Sequence, residues 1–113
     1  MSNDISVVEV ASLHFCADQK HPVVKQIASR LPWYTSSYSP HDVPRFYDIT
    51  GVTEDPSTFQ ATIDLLVARY KGNKPTSVAG FDARGFILGA PVALALQIPF
   101  LLIRKKGKMP GKL

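Results

Sequence analysis

Ala79-Gly80-Phe81-Asp82-Ala83-Arg84-Gly85-Phe86-Ile87-Leu88-Gly89 opens the stretch that decides the fold, and Pro99-Phe100-Leu101-Leu102-Ile103 closes it. Thr76 to Phe81 is a short run of small and apolar residues, which reads as a strand. Asp82-Ala83-Arg84-Gly85 makes a turn. Phe86 to Gln97 is apolar over a helical length, and Pro91 within it predicts a kink or a late helix start. The unbroken apolar run Pro99 to Ile103 is the mark of a strand covered on both faces. Strand, turn, helix and strand at this spacing make a βαβ unit, parallel and right-handed. The fold class is α/β.

Upstream, a second helix is well signed. Asp55 stands at an N-cap and Pro56 at the first helical position, with Phe59, Ile63, Leu66 and Tyr70 along one face and Gly72 placed to end it. Arg45 to Thr50 reads as extended, because Pro44 removes a donor and the residues are aromatic or β-branched. Trp33 to Pro44, with Tyr34, Tyr38, Pro40 and His41, has the composition of a shaped loop without a regular element. Val23, Val24, Ile27 and Leu31 recur at helical spacing, so Pro22 to Leu31 reads as a helix of about three turns. Val7 to Val10 suggests a short strand.

Composition sets the outer limits. A chain of 113 residues with 45% hydrophobic and 19% charged residues has the material for one packed domain and is too apolar for a disordered tail. A single cysteine, Cys16, excludes an internal disulfide or a cysteine-based metal site, and reads as a buried filler in a reducing compartment. No apolar run is long enough to span a membrane, and Asp4, Glu9 and Asp18 near the start argue against a secretory signal. The net charge of +4 is local. Arg104, Lys105, Lys106, Lys108 and Lys112 are five of the 13 basic residues, and they follow the last strand with no acid among them.

Parallel strands place that basic run and the Asp82–Gly85 turn on one edge, beyond the C-terminal ends of both strands, where open α/β sheets bind ligands. The turn feeds a helix N-terminus, whose N–H groups and dipole attract anions. Gly85 permits close backbone approach, and Arg84 offers a bidentate fork for phosphate. An anionic ligand with more than one phosphate is the expected occupant. The plainer alternative is a surface Asp–Arg pair beside a solvated basic tail. Arg45-Phe46-Tyr47 is a second candidate, since a flat heteroaromatic ligand needs an aromatic face and backbone edge contacts. Its alternative is that Phe46 and Ile49 join the core. His14, His21 and His41 show no ligand spacing and read as surface or capping residues.

These residues also carry a family likeness. Ala79 to Gly89 together with Ile103-Arg104-Lys105-Lys106-Gly107-Lys108-Met109-Pro110-Gly111 resembles the adenine phosphoribosyltransferases. His41-Asp42-Val43-Pro44-Arg45-Phe46, with Tyr34 and Tyr38 upstream, is similar to the longer, kinetoplastid-type forms. The two motifs are specific as a pair, and the resemblance runs from about Trp33 to Leu113. It implies a parallel-sheet phosphoribosyltransferase fold and transfer of a phosphoribosyl group from phosphoribosyl pyrophosphate to adenine, giving AMP and pyrophosphate, with Mg²⁺ held mainly through the phosphoribosyl pyrophosphate. Carried over by position, it implies that Arg45, Phe46 and Tyr47 surround the adenine. Asp82, Ala83, Arg84, Gly85, Arg104, Lys105 and Lys108 would hold the pyrophosphate and phosphoribosyl groups, with Arg84, Lys105 and Lys108 serving catalysis. The family often has a strained Asp-to-small-residue peptide at the place of Asp82–Ala83. Cytoplasmic purine salvage by a homodimer, without nucleic-acid or membrane partners, is the remaining implication.

The likeness also divides the chain. Residues 1–44 read as an N-terminal helix and aromatic loop region, and residues 45–113 as the first half of the phosphoribosyltransferase core, ending inside a flexible lid. The family's acidic phosphoribosyl-binding loop, paired Asp before Ala-Thr-Gly-Gly-Thr, is absent from the sequence. The chain therefore reads as an N-terminal half, inactive alone and marginal in stability. Two other readings compete: a non-catalytic regulator on the same fold that binds nucleotide or nucleic acid, and a transferase for another purine.

Overall fold

The computed structural model describes residues 5–12, 14–35 and 45–108. The expectations that fall on 36–44 (Tyr38, Pro40, His41, Pro44) and on 109–113 lie outside them. The chain forms two compact units, Met1–Thr62 and Ile63–Leu113, and the boundary falls within a helix.

In the first unit, β1 (Val7–Ala11) and β2 (His14–Ala17) make an antiparallel hairpin with an irregularity between Glu9 and Ala11. Only β1 was legible beforehand. Cys16 is half-buried there rather than a buried filler. Helix α1 (Pro22–Ser29) is shorter than its apolar spacing suggested and buries Ile27 alone. His21 does cap it, its Nδ1 accepting the Val23 N–H at 3.1 Å. The loop expected from Trp33 onward begins with a strand, because β3 (Trp33–Tyr34) pairs antiparallel with β4 (Phe46–Tyr47). The extended segment also ends early. Asp48 accepts from the Thr50 N–H at 2.9 Å and starts a one-turn helix, α2 (Thr50–Thr53).

Helix α3 (Pro56–Tyr70) starts where Asp55 and Pro56 predict. The Asp55 carboxylate accepts from the hydroxyls of Thr58 at 2.5 Å and Ser57 at 3.3 Å, and the Arg30 Nε stands 3.4 Å away. Thr58, fully buried, accepts in turn from the Gln26 amide at 3.0 Å. The Thr58 hydroxyl above all, and then Arg30, holds the Asp55 carboxyl below its ordinary value of 3.8. A depressed carboxylate contributes stability above its unfolded value, and that stability is lost as pH falls through the folded one. Asp55→Ala is therefore expected to melt earlier than the parent at pH 7, with the gap closing below about pH 4. A gap that is independent of pH in thermal denaturation would remove the carboxylate from this role.

The second unit holds the βαβ core. Strand β5 (Val78–Phe81) and β6 (Phe100–Ile103) are parallel, with Val78 opposite Phe100 and Phe81 opposite Ile103, and α4 (Arg84–Leu96) joins them. The α/β class and the parallel pair are as expected. Pro91 lies inside α4, which starts at Arg84 without delay. Gly72 does not end α3: the chain passes through a 3-10 turn, Lys71–Asn73, and Lys74 takes the left-handed conformation at φ 51°. Glycines set the spacing of strand and helix. A Cβ on Gly80 would overlap the Gly85 carbonyl oxygen and stand 2.9 Å from Phe100 Cζ, and one on Gly89 would stand 2.5 Å from Phe100 Cε1. Phe100 meets Phe86 edge to face at 6.2 Å, and Val92 and Ala93 of α4 are buried. Leu101, Leu102 and Ile103 remain exposed, so the doubly covered strand expected here is open among the described residues.

Candidate functional site

The register of the parallel pair builds one edge. Because Phe81 lies opposite Ile103, the residues that follow them, Asp82 and Arg104, emerge side by side. The Asp82 N–H extends the ladder to the Ile103 carbonyl at 3.3 Å, and the Asp82 carboxylate pairs with the Arg104 Nε at 3.5 Å. The Asp82–Ala83 peptide is cis. Ala83 then takes the N-cap position of α4, where no side chain caps the helix and no acid stands in the first turn. An alanine at that position supplies no side-chain cap; the Ala83 carbonyl accepts from the Phe86 N–H at 3.0 Å, and the positive end of the helix dipole faces this turn. Arg84 is exposed at the first helical position, with Gly85 behind it.

The basic segment is folded back on itself. Arg104 Nη1 donates to the Lys108 carbonyl at 3.2 Å, and the Lys108 N–H donates to the Lys105 carbonyl at 3.0 Å. Gly107 takes φ 87° within this turn, a value that favours glycine. Asp82, Ala83, Arg84, Gly85, Arg104, Lys105 and Lys108 are thus gathered at the C-terminal ends of the two strands, as the topology predicts. Two points go beyond the sequence reading. Gly85 serves the close packing on Gly80, and Arg104 is paired with Asp82 rather than standing as an isolated cation.

The aromatic candidates lie in the other unit, on the β3–β4 ribbon. Trp33 is opposite Tyr47 and Tyr34 opposite Phe46, so adjacent residues point to opposite faces. The ribbon separates the trio: Phe46, half-buried, shares a face with Tyr34, and Tyr47 shares the other with Trp33. The Arg45 guanidinium lies 4.8 Å from the centre of the Trp33 ring, a cation–π contact that sequence reasoning missed. Two β-prone aromatic pairs flanking a Pro/Ser-rich connection were the available signal.

A separate apolar groove of about 540 Å³ runs beside β5, between Leu66 and Tyr70 of α3 and Leu88 and Val92 of α4. No Asp, Glu, Lys or Arg lines it, although its lining reaches Phe81 and Gly85 at the Asp82–Gly85 turn. Among the described residues no three His, Cys, Asp or Glu side chains gather as a metal site.

No family model matches the chain. Individual relatives do. An adenine phosphoribosyltransferase of Histophilus somni is 62% identical over 65 residues, 58% of this chain and 36% of that protein. One from Proteus mirabilis is 45% identical over 92 residues, 81% of this chain and 48% of its own. The crystal structure of adenine phosphoribosyltransferase from Trypanosoma brucei, in complex with AMP, pyrophosphate and ribose-5-phosphate, superposes with a TM-score of 0.83. It is 40% identical and covers 96% of this chain and 46% of its own. The chain is thus similar to adenine phosphoribosyltransferases over most of its length. Its parallel βαβ unit is a portion of the phosphoribosyltransferase fold, as the paired motifs implied. The chain spans about half the length of the adenine phosphoribosyltransferases it matches, or less.

Proposed function

We propose that this chain contributes to an adenine phosphoribosyltransferase of purine salvage, which transfers phosphoribosyl from phosphoribosyl pyrophosphate to adenine and yields AMP and pyrophosphate. The observation that carries the reading is the single edge where the side-chain-free N-cap of α4, Arg84 and the Arg104–Lys108 turn meet. That edge suits a pyrophosphate, and the Trypanosoma brucei relative was crystallised with one. As the bond from ribose to pyrophosphate breaks, negative charge grows on the leaving oxygens while the ribosyl carbon gains oxocarbenium character. Fixed cations and oriented N–H groups stabilise that growing charge without reorganising, which is electrostatic catalysis. In this reading Arg84, Lys105 and Lys108 act on the leaving group, and Asp82, Ala83, Gly85 and Arg104 shape its seat. Arg45, Phe46 and Tyr47 receive the adenine, with Phe46 as the stacking face.

Mg²⁺ belongs to the reaction the family likeness implies. The described residues do not form a seat for it, since Asp82 is the one carboxylate at this edge and it is paired with Arg104. A homodimer and a cytoplasmic setting complete the proposal, both supported by the family likeness. No helix among the described residues is long and apolar enough to cross a membrane.

The test is a graft. This chain replaces the matched stretch of the Trypanosoma brucei enzyme, and AMP formation from adenine and phosphoribosyl pyrophosphate is followed. AMP formation is expected; a folded graft that consumes another purine, or none, would overturn the reading. Within the active graft, Phe46→Ala is expected to weaken adenine binding about tenfold, the scale of one base–aromatic stack. Unaltered adenine affinity in a calorimetric titration would return Phe46 to a packing role.

A further inference from the structure

The Arg104 guanidinium is committed in two directions, to the Asp82 carboxylate at 3.5 Å and to the Lys108 carbonyl at 3.2 Å. Its first partner is anchored, because the Asp82 N–H is bonded to the Ile103 carbonyl. Its second lies at the far end of a turn that the Lys108 N–H closes onto Lys105. We propose that Arg104 is a positioning residue, a latch that ties the 104–108 turn to the Asp82–Gly85 turn and so holds the backbone of Lys105 and Lys108 beside the anion seat. This rests on the anion-binding reading of that edge. It assigns Asp82 a purpose that charge alone does not give it. A bare carboxylate beside a pyrophosphate repels it, whereas a carboxylate that anchors Arg104 is both masked and useful. Both side chains are partly exposed, at 35% and 40%, so the pair adds little to global stability and acts on local order.

The latch and simple electrostatics predict opposite signs for one substitution. Asp82→Asn makes the edge more positive, and by charge alone it would bind pyrophosphate more tightly. The latch requires it to bind more weakly. Amide exchange at Lys108, followed by NMR, and calorimetric titration with inorganic pyrophosphate read the two consequences on the full chain. Asp82→Asn and Arg104→Gln are each expected to speed exchange of the Lys108 N–H about tenfold and to weaken pyrophosphate about tenfold. Lys106→Gln, which loses the same charge as Arg104→Gln outside these contacts, is expected to change affinity less than about threefold. Arg104→Lys keeps the charge but loses the two-way fork, so it should behave as Arg104→Gln does. Unchanged exchange at Lys108 in Asp82→Asn or Arg104→Gln, or tighter pyrophosphate binding by Asp82→Asn, overturns the latch. If the parent chain binds no pyrophosphate, the functional reading of the edge fails, and the exchange rates still decide the latch.

Discussion

Arg84→Ala is expected to lower AMP formation by the grafted enzyme about a hundredfold or more while the fold survives. Arg84 sits at the first position of α4, exposed, directly after an N-cap that offers no side chain of its own. Its removal takes from the proposed anion seat the one cation that belongs to the βα turn itself, leaving only backbone N–H groups and the cations of the 104–108 turn. Removing one preorganised donor from developing negative charge costs about 10²–10³ in turnover. The loss should appear mainly in kcat, because the charge on the leaving oxygens is greatest in the transition state. An exposed arginine makes little contribution to packing, so the melting temperature should stay within a degree or two of the parent. Undiminished turnover, or a parallel collapse in stability, would sink the role assigned to it.

The second large effect is structural. Gly80→Ala is expected to destabilise the βαβ unit by about 3 kcal/mol, the upper end of the range for overpacked cores. The added methyl would meet backbone on one side, the Gly85 carbonyl, and the Phe100 ring on the other. Neither neighbour is the tip of a flexible side chain. Relief would require α4 to lift from β5, which would disturb the Phe100 ring that lies over Gly89 as well. Gly72→Ala is the matched control, since nothing lies within 4 Å of its added Cβ. It should be neutral or slightly stabilising. Guanidinium unfolding of the two variants measures the contrast, and equal midpoints would mean that strand and helix can separate without cost.

The parts of the fold that were legible are those whose sequence carries its own signal. The apolar runs at Thr76–Phe81 and Pro99–Ile103 and the Asp55-Pro56 start gave β5, β6 and α3. The missed elements are held by partners. Strand β2 has no alternation of its own and exists by pairing with β1, and β3 exists by pairing with β4 across the Pro/Ser-rich connection. Helix α2, Thr-Gly-Val-Thr, is poor in helix formers. It is held by Asp48 at its start and by the Arg30 guanidinium, which donates to the Gly51 carbonyl at 3.2 Å. The gathering of the Asp82–Gly85 and 104–108 turns on one edge was legible because parallel topology alone puts both there. The Asp82–Arg104 pair was not, because it depends on the register that sets Phe81 opposite Ile103, and no local pattern states a register.

Strand β6 has a consequence for how this polypeptide behaves in solution. Leu101, Leu102 and Ile103 are 52%, 49% and 42% exposed, and among the described residues β5 is the one strand paired with them. An apolar strand with a bare edge is a template for adding another of its kind. Directly behind it stand Arg104, Lys105 and Lys106, and consecutive like charges flanking such a strand act as gatekeepers against self-association. Two of these cations, Arg104 and Lys105, are also proposed to serve the pyrophosphate seat, so one basic run would both hold a ligand and keep neighbouring molecules apart. High ionic strength or a polyanion would screen them, and would loosen the colloidal guard together with the proposed seat.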